Sequence, residues 1–105
     1  KKQELLLVKE YLDSHFSQTI YLDKLSEQFF INKFYLTRSF KEQFGVTPGN
    51  YLLGLRITRA KQLLRFTDSS LDTISASCGM GDAAYFSRIF KKVEGITPGE
   101  YRRQW

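Results

Sequence analysis

Cysteine occurs once in these 105 residues, proline twice, and methionine, histidine and tryptophan once each. The lone Cys78 excludes an internal disulfide and any zinc site built from several thiolates, and it agrees with a reducing, cytoplasmic setting. The single histidine, His15, near the end of the first helical segment, reads as a partner of the helix dipole rather than a base. No nucleophile–base pairing, metal-spaced cluster or glycine-rich phosphate loop is present. No apolar run approaches the roughly 18 residues of a membrane span, and no charged–apolar–small leader opens the chain. The period-two alternation of a strand is not sustained anywhere. These absences leave a helical binding domain without catalytic residues, metal or cofactor.

Hydrophobic residues make up 42% and aromatics 15%, enough for a real core in one unit of this size. The formal net charge is +5, and it is unevenly spread. Residues 1–30 carry four Lys/Arg and five Asp/Glu, a balance of −1; residues 31–105 carry twelve and six, a balance of +6. A basic excess of this kind favours a polyanionic partner. The chain opens without an initiator methionine, which is read here as the sign of a longer parent protein.

Helical spacing runs throughout. Leu5, Val8, Leu12 and Phe16 recur at three and four residues and mark a first amphipathic helix. A short second helix is expected around Leu22–Phe29, and Asn32 caps a third that ends before Gly45, where glycine takes the left-handed position. The phrases "GVTPGNY" (45–51) and "GITPGEY" (95–101) then punctuate the chain. In each, glycine stops one helix, threonine caps the next and proline fills its first position, where a missing N–H costs nothing. Glu100 completes a capping box with Thr97; Asn50 stands in that place in the first copy. A long helix runs from Pro48 to about Phe66, with Leu52, Leu55, Ile57, Ala60, Leu63 and Leu64 on its apolar side. Ser69 with Asp72 offers a further capping box for a short helix over 71–78. Asp82 caps a helix ending before Gly95, and the last starts at Pro98. The expected fold is all-α, with seven helices.

The punctuation belongs to a larger duplication. Residues 34–51 and 84–101 are identical at nine of eighteen positions, among them Tyr35/Tyr85, Arg38/Arg88, Phe40/Phe90 and Lys41/Lys91. Upstream, "LDKLS" at 22–26 mirrors "LDTIS" at 71–75. Short helix, tight turn and longer basic helix make a helix-turn-helix. The expectation is therefore two helix-turn-helix subdomains, 1–46 and 67–105, joined by a long central helix over 47–66.

On the first long basic helix Leu36, Phe40 and Phe44 face the core, while Phe34, Thr37, Arg38 and Lys41 share the other face. On the second, Phe86, Phe90 and Val93 are expected inward, and Ala84, Ser87, Arg88 and Lys91 outward with Lys92 beside them. Such a face suits a major groove: arginine grips guanine as a fork, hydroxyls serve several bases, and lysine neutralises phosphates. A single Lys or Arg on a helix is usually just solvated; its recurrence on matching faces favours the functional reading. Phe34 either packs on a thymine methyl or sugar wall, or is a rim of the core. Tyr35 and Tyr85 border the two faces and read as structural. A connecting helix of roughly 18 residues spans about 27 Å, which approaches the roughly 34 Å repeat of B-DNA. One chain then enters two successive major grooves, and Arg56, Arg59, Lys61 and Arg65 partly face the backbone. A helical protein-interaction or RNA-binding module is the alternative, marked by salt-insensitive binding or stacking platforms.

"LRITRAKQLL" followed by "LDTISASCGMGDAAYFSRIFKKVEGITPGEYR" resembles the signature of the AraC/XylS transcription regulators over essentially the whole chain, residues 1–105. The resemblance implies a DNA-binding domain of a bacterial regulator that acts on asymmetric promoter sites, most often as an activator touching RNA polymerase. It also implies a separate sensing domain N-terminal to this one. Carried over by position, base-reading places fall on Phe34, Thr37 and Arg38, with Lys33 and Lys41 near phosphates. In the second helix they fall on Ala83, Ala84, Ser87 and Arg88, with Tyr85, Lys91 and Lys92 in the same set. The turn departs from the family's Gly-Phe, because Met80 follows Gly79; methionine fills the same apolar gap. Ala83 and Ala84 cannot hydrogen-bond bases, so the second helix is expected to read weakly and the first to specify more.

Overall fold

A computed structural model of the chain describes residues 2–105 and shows, among them, seven α-helices and no strand. They are α1 (Lys2–His15), α2 (Leu22–Gln28), α3 (Lys33–Phe44), α4 (Pro48–Phe66), α5 (Leu71–Ser77), α6 (Ala83–Glu94) and α7 (Pro98–Arg102). The all-α reading and the helix count therefore hold.

Local chemistry sets most of these boundaries. The Asn32 side chain accepts from the Phe34 and Tyr35 amides at the start of α3, and Asp82 accepts from Tyr85 at the start of α6. Gly45 and Gly95 end those helices at φ 86° and 87°, where a side chain would be strained. Thr47 accepts from the Asn50 amide at 3.2 Å, and Thr97 with Glu100 forms both halves of a capping box. One cap is corrected. Ser70, not Ser69, caps α5, because the helix begins at Leu71 and Ser70 accepts from Thr73. The Ser69 amide instead donates to the Thr67 hydroxyl at 3.2 Å. Phe29 and Cys78, placed inside helices from sequence, are the C-caps of α2 and α5.

The chain divides into two compact units, one ending at Leu55 and the other comprising Arg56–Trp105. The division falls inside α4. In the first unit Leu5, Val8, Leu12, Leu25, Ile31, Leu36, Phe40 and Leu52 form the buried cluster. In the second, Ile57, Ala60, Leu64, Ile74, Met80, Phe86 and Phe90 are buried. Met80 thus fills the apolar gap expected of it. In each unit the tyrosine after the Thr-Pro-Gly phrase stands edge-on to the central phenylalanine: Tyr51 at 5.8 Å from Phe40, Tyr101 at 5.6 Å from Phe90.

The duplication reaches further than residue identity shows. Residues 5–15 and 57–67 share only Lys9/Lys61 and Leu12/Leu64, yet their buried, half-buried and exposed positions coincide throughout. The second part of α4 is therefore the counterpart of α1, and its first part, opening "PGNY", is the counterpart of α7, opening "PGEY". A single helix closes one unit and opens the next.

The copies differ at one turn residue, and one residue expected in the core is corrected. Phe30 stands in the left-handed region at φ 56°, where Gly79 stands at φ 77° in the second turn. Val93, expected inward, is 47% exposed. Phe86 and Phe90 are one turn apart, and the next step along that seam is Glu94, not Val93. Glu94 is half-buried and pairs with Lys61 at 3.1 Å.

Candidate nucleic-acid interface

In the first unit α2 and α3 bound an open groove lined by Tyr21, Leu22, Asp23, Lys33, Phe34, Thr37, Arg38, Lys41 and Thr47. All five residues expected on the first reading helix meet there. The Asn32 cap fixes the register: with the helix beginning at Lys33, positions 34, 37, 38 and 41 fall on one face, opposite buried Leu36 and Phe40. Phe34 is 73% exposed, so it is not a rim of the core. Arg38 and Lys41 are exposed and Thr37 half-buried, its hydroxyl donating to the Lys33 carbonyl at 3.2 Å. The Lys33 ammonium lies 2.9 Å from the Asp23 carboxylate and 5.4 Å from the centre of the Phe34 ring.

Tyr21, Leu22, Asp23 and Thr47 belong to the groove wall without having been singled out from the sequence. Tyr21 and Asp23 flank the start of α2, whose core-facing Leu25 draws attention away from its exposed end. Thr47 was visible only as a cap.

In the second unit α6 carries Ala84, Tyr85, Arg88, Lys91 and Lys92 exposed, with Ala83 and Ser87 half-buried. From 33–44 to 83–94 the burial pattern agrees at every position except Tyr35/Tyr85. Tyr35 is half-buried, whereas Tyr85 is 44% exposed, with the Arg88 guanidinium 6.0 Å from its ring centre. Tyr85 thus lies on the outward side of the border. Arg56 approaches from α4; burial pulls its guanidinium below the ordinary arginine value, and nearby Tyr85 and Cys78 act in the other direction.

The remaining cations of α4 are engaged within the second unit. Lys61 pairs with Glu94, Arg59 donates to Gln62 at 3.2 Å, and Arg65 stacks 3.9 Å from the Trp105 ring centre. Cys78 is fully buried, and that burial pushes its thiol up to about 11. His15 lies against Tyr11, their rings stacked at 4.1 Å, with Nδ1 donating to the Tyr11 carbonyl. Among the described residues no cluster of His, Cys, Asp and Glu could hold a metal, and no helix is long and apolar enough to cross a membrane.

Charge on the two faces is therefore unequal in arrangement. The first groove carries Lys33, Arg38 and Lys41 against Asp23, formally +2; the second face carries Arg88, Lys91 and Lys92, formally +3. The first also presents a large apolar side chain and a hydroxyl, the second two methyl groups and a hydroxyl. Forked and point cations beside small hydrogen-bonding and apolar groups are what base edges and phosphates require.

Residues 25–104 match the family model of a helix-turn-helix domain. The HTH-type transcriptional activator RhaS of Escherichia coli is 38% identical over 86 residues, covering 82% of this chain. A regulator from Chromobacterium violaceum described as an AraC-type DNA-binding-domain protein is 29% identical, with a TM-score of 0.84 over 98% of this chain and 92% of its own. The chain belongs to the AraC/XylS family. The C-terminal domain of AraT, a response regulator from Geobacillus stearothermophilus, shares the fold of this AraC/XylS domain at a TM-score of 0.93 and 30% identity, over 97% of this chain and 85% of that one. The domain spans 31% of the length of the RhaS relative. It is a DNA-binding domain of the transcription-regulator type, and its two turns, Phe30–Ile31 and Gly79–Met80, are those of two helix-turn-helix units.

Proposed function

We propose that this AraC/XylS domain reads an asymmetric promoter site as part of a transcriptional activator. It inserts α3 and α6 into successive major grooves of double-stranded DNA. The observation that carries this reading is the convergence of Lys33, Phe34, Thr37, Arg38 and Lys41 on one open groove, with the same pattern of exposed positions repeated on α6. Within the α3 groove, Arg38 supplies the fork for guanine, Thr37 a hydroxyl, Phe34 a surface for a thymine methyl, and Lys41 a phosphate contact. On α6, Arg88 and Ser87 are the polar readers, Ala83 and Ala84 read methyl groups and shape, and Lys91 and Lys92 hold phosphates. The first helix specifies more of the site because its apolar and polar groups are larger and more varied. RhaS is named an activator, and that likeness supports activation as the role of the parent protein. Contact with RNA polymerase, a cytoplasmic setting and a separate N-terminal sensing domain complete the proposal, on the AraC/XylS resemblance.

Selection of preferred duplexes from a random pool, followed by salt titration of affinity, tests the reading. A bipartite site and a log–log slope near −0.9 for each phosphate neutralised are expected. Arg38→Ala is expected to cost about 1–3 kcal/mol and relax one base position, while Lys91→Ala weakens all sequences alike. A flat salt slope, or equal binding of single-stranded RNA, would overturn the proposal in favour of an RNA or protein partner.

A further inference from the structure

Among the residues lining the first groove, Asp23 is the only acid. An acid beside a groove built for phosphates needs a reason. Part of it is local: Asp23 lies in the first turn of α2, as Asp72 lies in the first turn of α5, where a carboxylate favours the helix dipole. That role is common to both copies and does not account for Lys33. The position equivalent to Lys33 is Ala83 in the second unit, so the carboxylate–ammonium pair at 2.9 Å belongs to the first unit alone.

We propose that Asp23 determines how sharply the domain separates its target from other DNA, by withholding Lys33 from phosphates until α3 is seated in a matching groove. This rests on the DNA-reading role given above. Binding to arbitrary DNA is Coulombic and sequence-independent. A lysine held against a carboxylate adds no net charge to it. On a matching site Phe34, Thr37 and Arg38 hold α3 against the bases, and a phosphate kept close by those contacts displaces Asp23 from the ammonium. The pair suits such an exchange: its side chains are 41% and 68% accessible, and exposed ion pairs are weak. Lys33 then counts toward binding on the target and not elsewhere, so Asp23 is a positioning residue for specificity.

The test is a salt titration of the 105-residue chain and its variants on two duplexes of equal length, the selected preferred site and a random-sequence pool. Asp23→Asn should steepen the random-pool slope by about 0.9 and leave the preferred-site slope as it was. Between 200 and 50 mM salt the variant should gain about 3.5-fold over the parent on the random pool. In a Lys33→Gln background the same change removes only an uncompensated carboxylate and should move both slopes alike. The double variant Asp23→Asn/Lys33→Gln, which removes both charges at once, should flatten the preferred-site slope by about 0.9 and leave the random-pool slope as it was. Equal steepening on both duplexes would overturn the proposal, since Asp23 would then merely subtract charge. So would an unchanged random-pool slope, or an effect confined to the random pool that survives Lys33→Gln. A parent chain with flat slopes on both duplexes would instead overturn the DNA-reading role itself.

Discussion

Replacing Phe30 by glycine should make the first unit more stable, although it deletes a phenylalanine. Phe30 is 95% exposed, so its ring contributes almost no burial to lose. Its backbone sits at φ 56°, while the equivalent Gly79 adopts φ 77° without a side chain to strain. The two turns are otherwise bonded alike. The Phe30 amide donates to Glu27 at 3.2 Å and the Gly79 amide to Ala76 at 3.1 Å; the next amides, Ile31 and Met80, donate to Ser26 and Ser75 at 2.9 Å. Holding an L side chain in the left-handed region costs roughly 1–2 kcal/mol. Glycine returns about 0.4–1 kcal/mol of that through the greater freedom of its unfolded chain. The expected net gain is about 0.5–1 kcal/mol. Urea unfolding followed by circular dichroism measures it, and a higher midpoint with an unchanged slope is the expected result. Gly79→Ala is the reciprocal experiment and, by the same two terms, should cost about 0.5–1 kcal/mol. A Phe30→Gly protein less stable than its parent would refute the reasoning, because the ring would then hold the turn through contacts its exposure denies.

Phe90→Ala should cost about 3–5 kcal/mol in urea unfolding, whereas Val93→Ala should stay within about 0.5 kcal/mol; equal losses would return Val93 to the core. The Glu100 carboxyl is held below its ordinary value, first by the Thr97 amide and then by the Thr97 side chain. Its folded pKa lies below the unfolded one, so its contribution is present above the ordinary glutamate range and is lost as pH falls through the depressed value. Thermal melts of the parent and Glu100→Gln should therefore differ at neutral pH and converge in acid; a constant offset across pH would contradict this.

How far the sequence revealed the fold depended on whether neighbouring residues decided the matter. The capping residues Asn32, Asp82 and Thr97 and the stop residues Gly45 and Gly95 act on amides within three residues or through their own φ, so α3, α6 and α7 were readable in advance. Ser70 rather than Ser69 caps α5; two serines stand together, and spacing alone does not choose between them. Val93 was misplaced because a three-residue step and a four-residue step both look inward on paper. The groove's helix face was legible at 34, 37, 38 and 41, since helical period alone groups them. Its opposite wall was not: that Asp23 reaches Lys33 depends on the angle of the turn through Phe30 and Ile31, which no periodicity encodes. The kinship of α1 with the later part of α4 was hidden for a different reason. Burial is conserved between them while side-chain identity is almost entirely replaced.

That kinship limits how the domain can be taken apart. Of the 19 residues of α4, eight precede the division after Leu55 and eleven follow it. Isolated helices shorter than about 12–15 residues are marginal in water, so neither piece persists without the packing of its own unit. Cutting between them leaves each reading unit with a fraying end. Keeping the helix whole on the first unit leaves Ile57, Ala60 and Leu64, all buried in the intact chain, as a bare apolar stripe. α4 therefore cannot be assigned whole to either unit without stripping residues from the other.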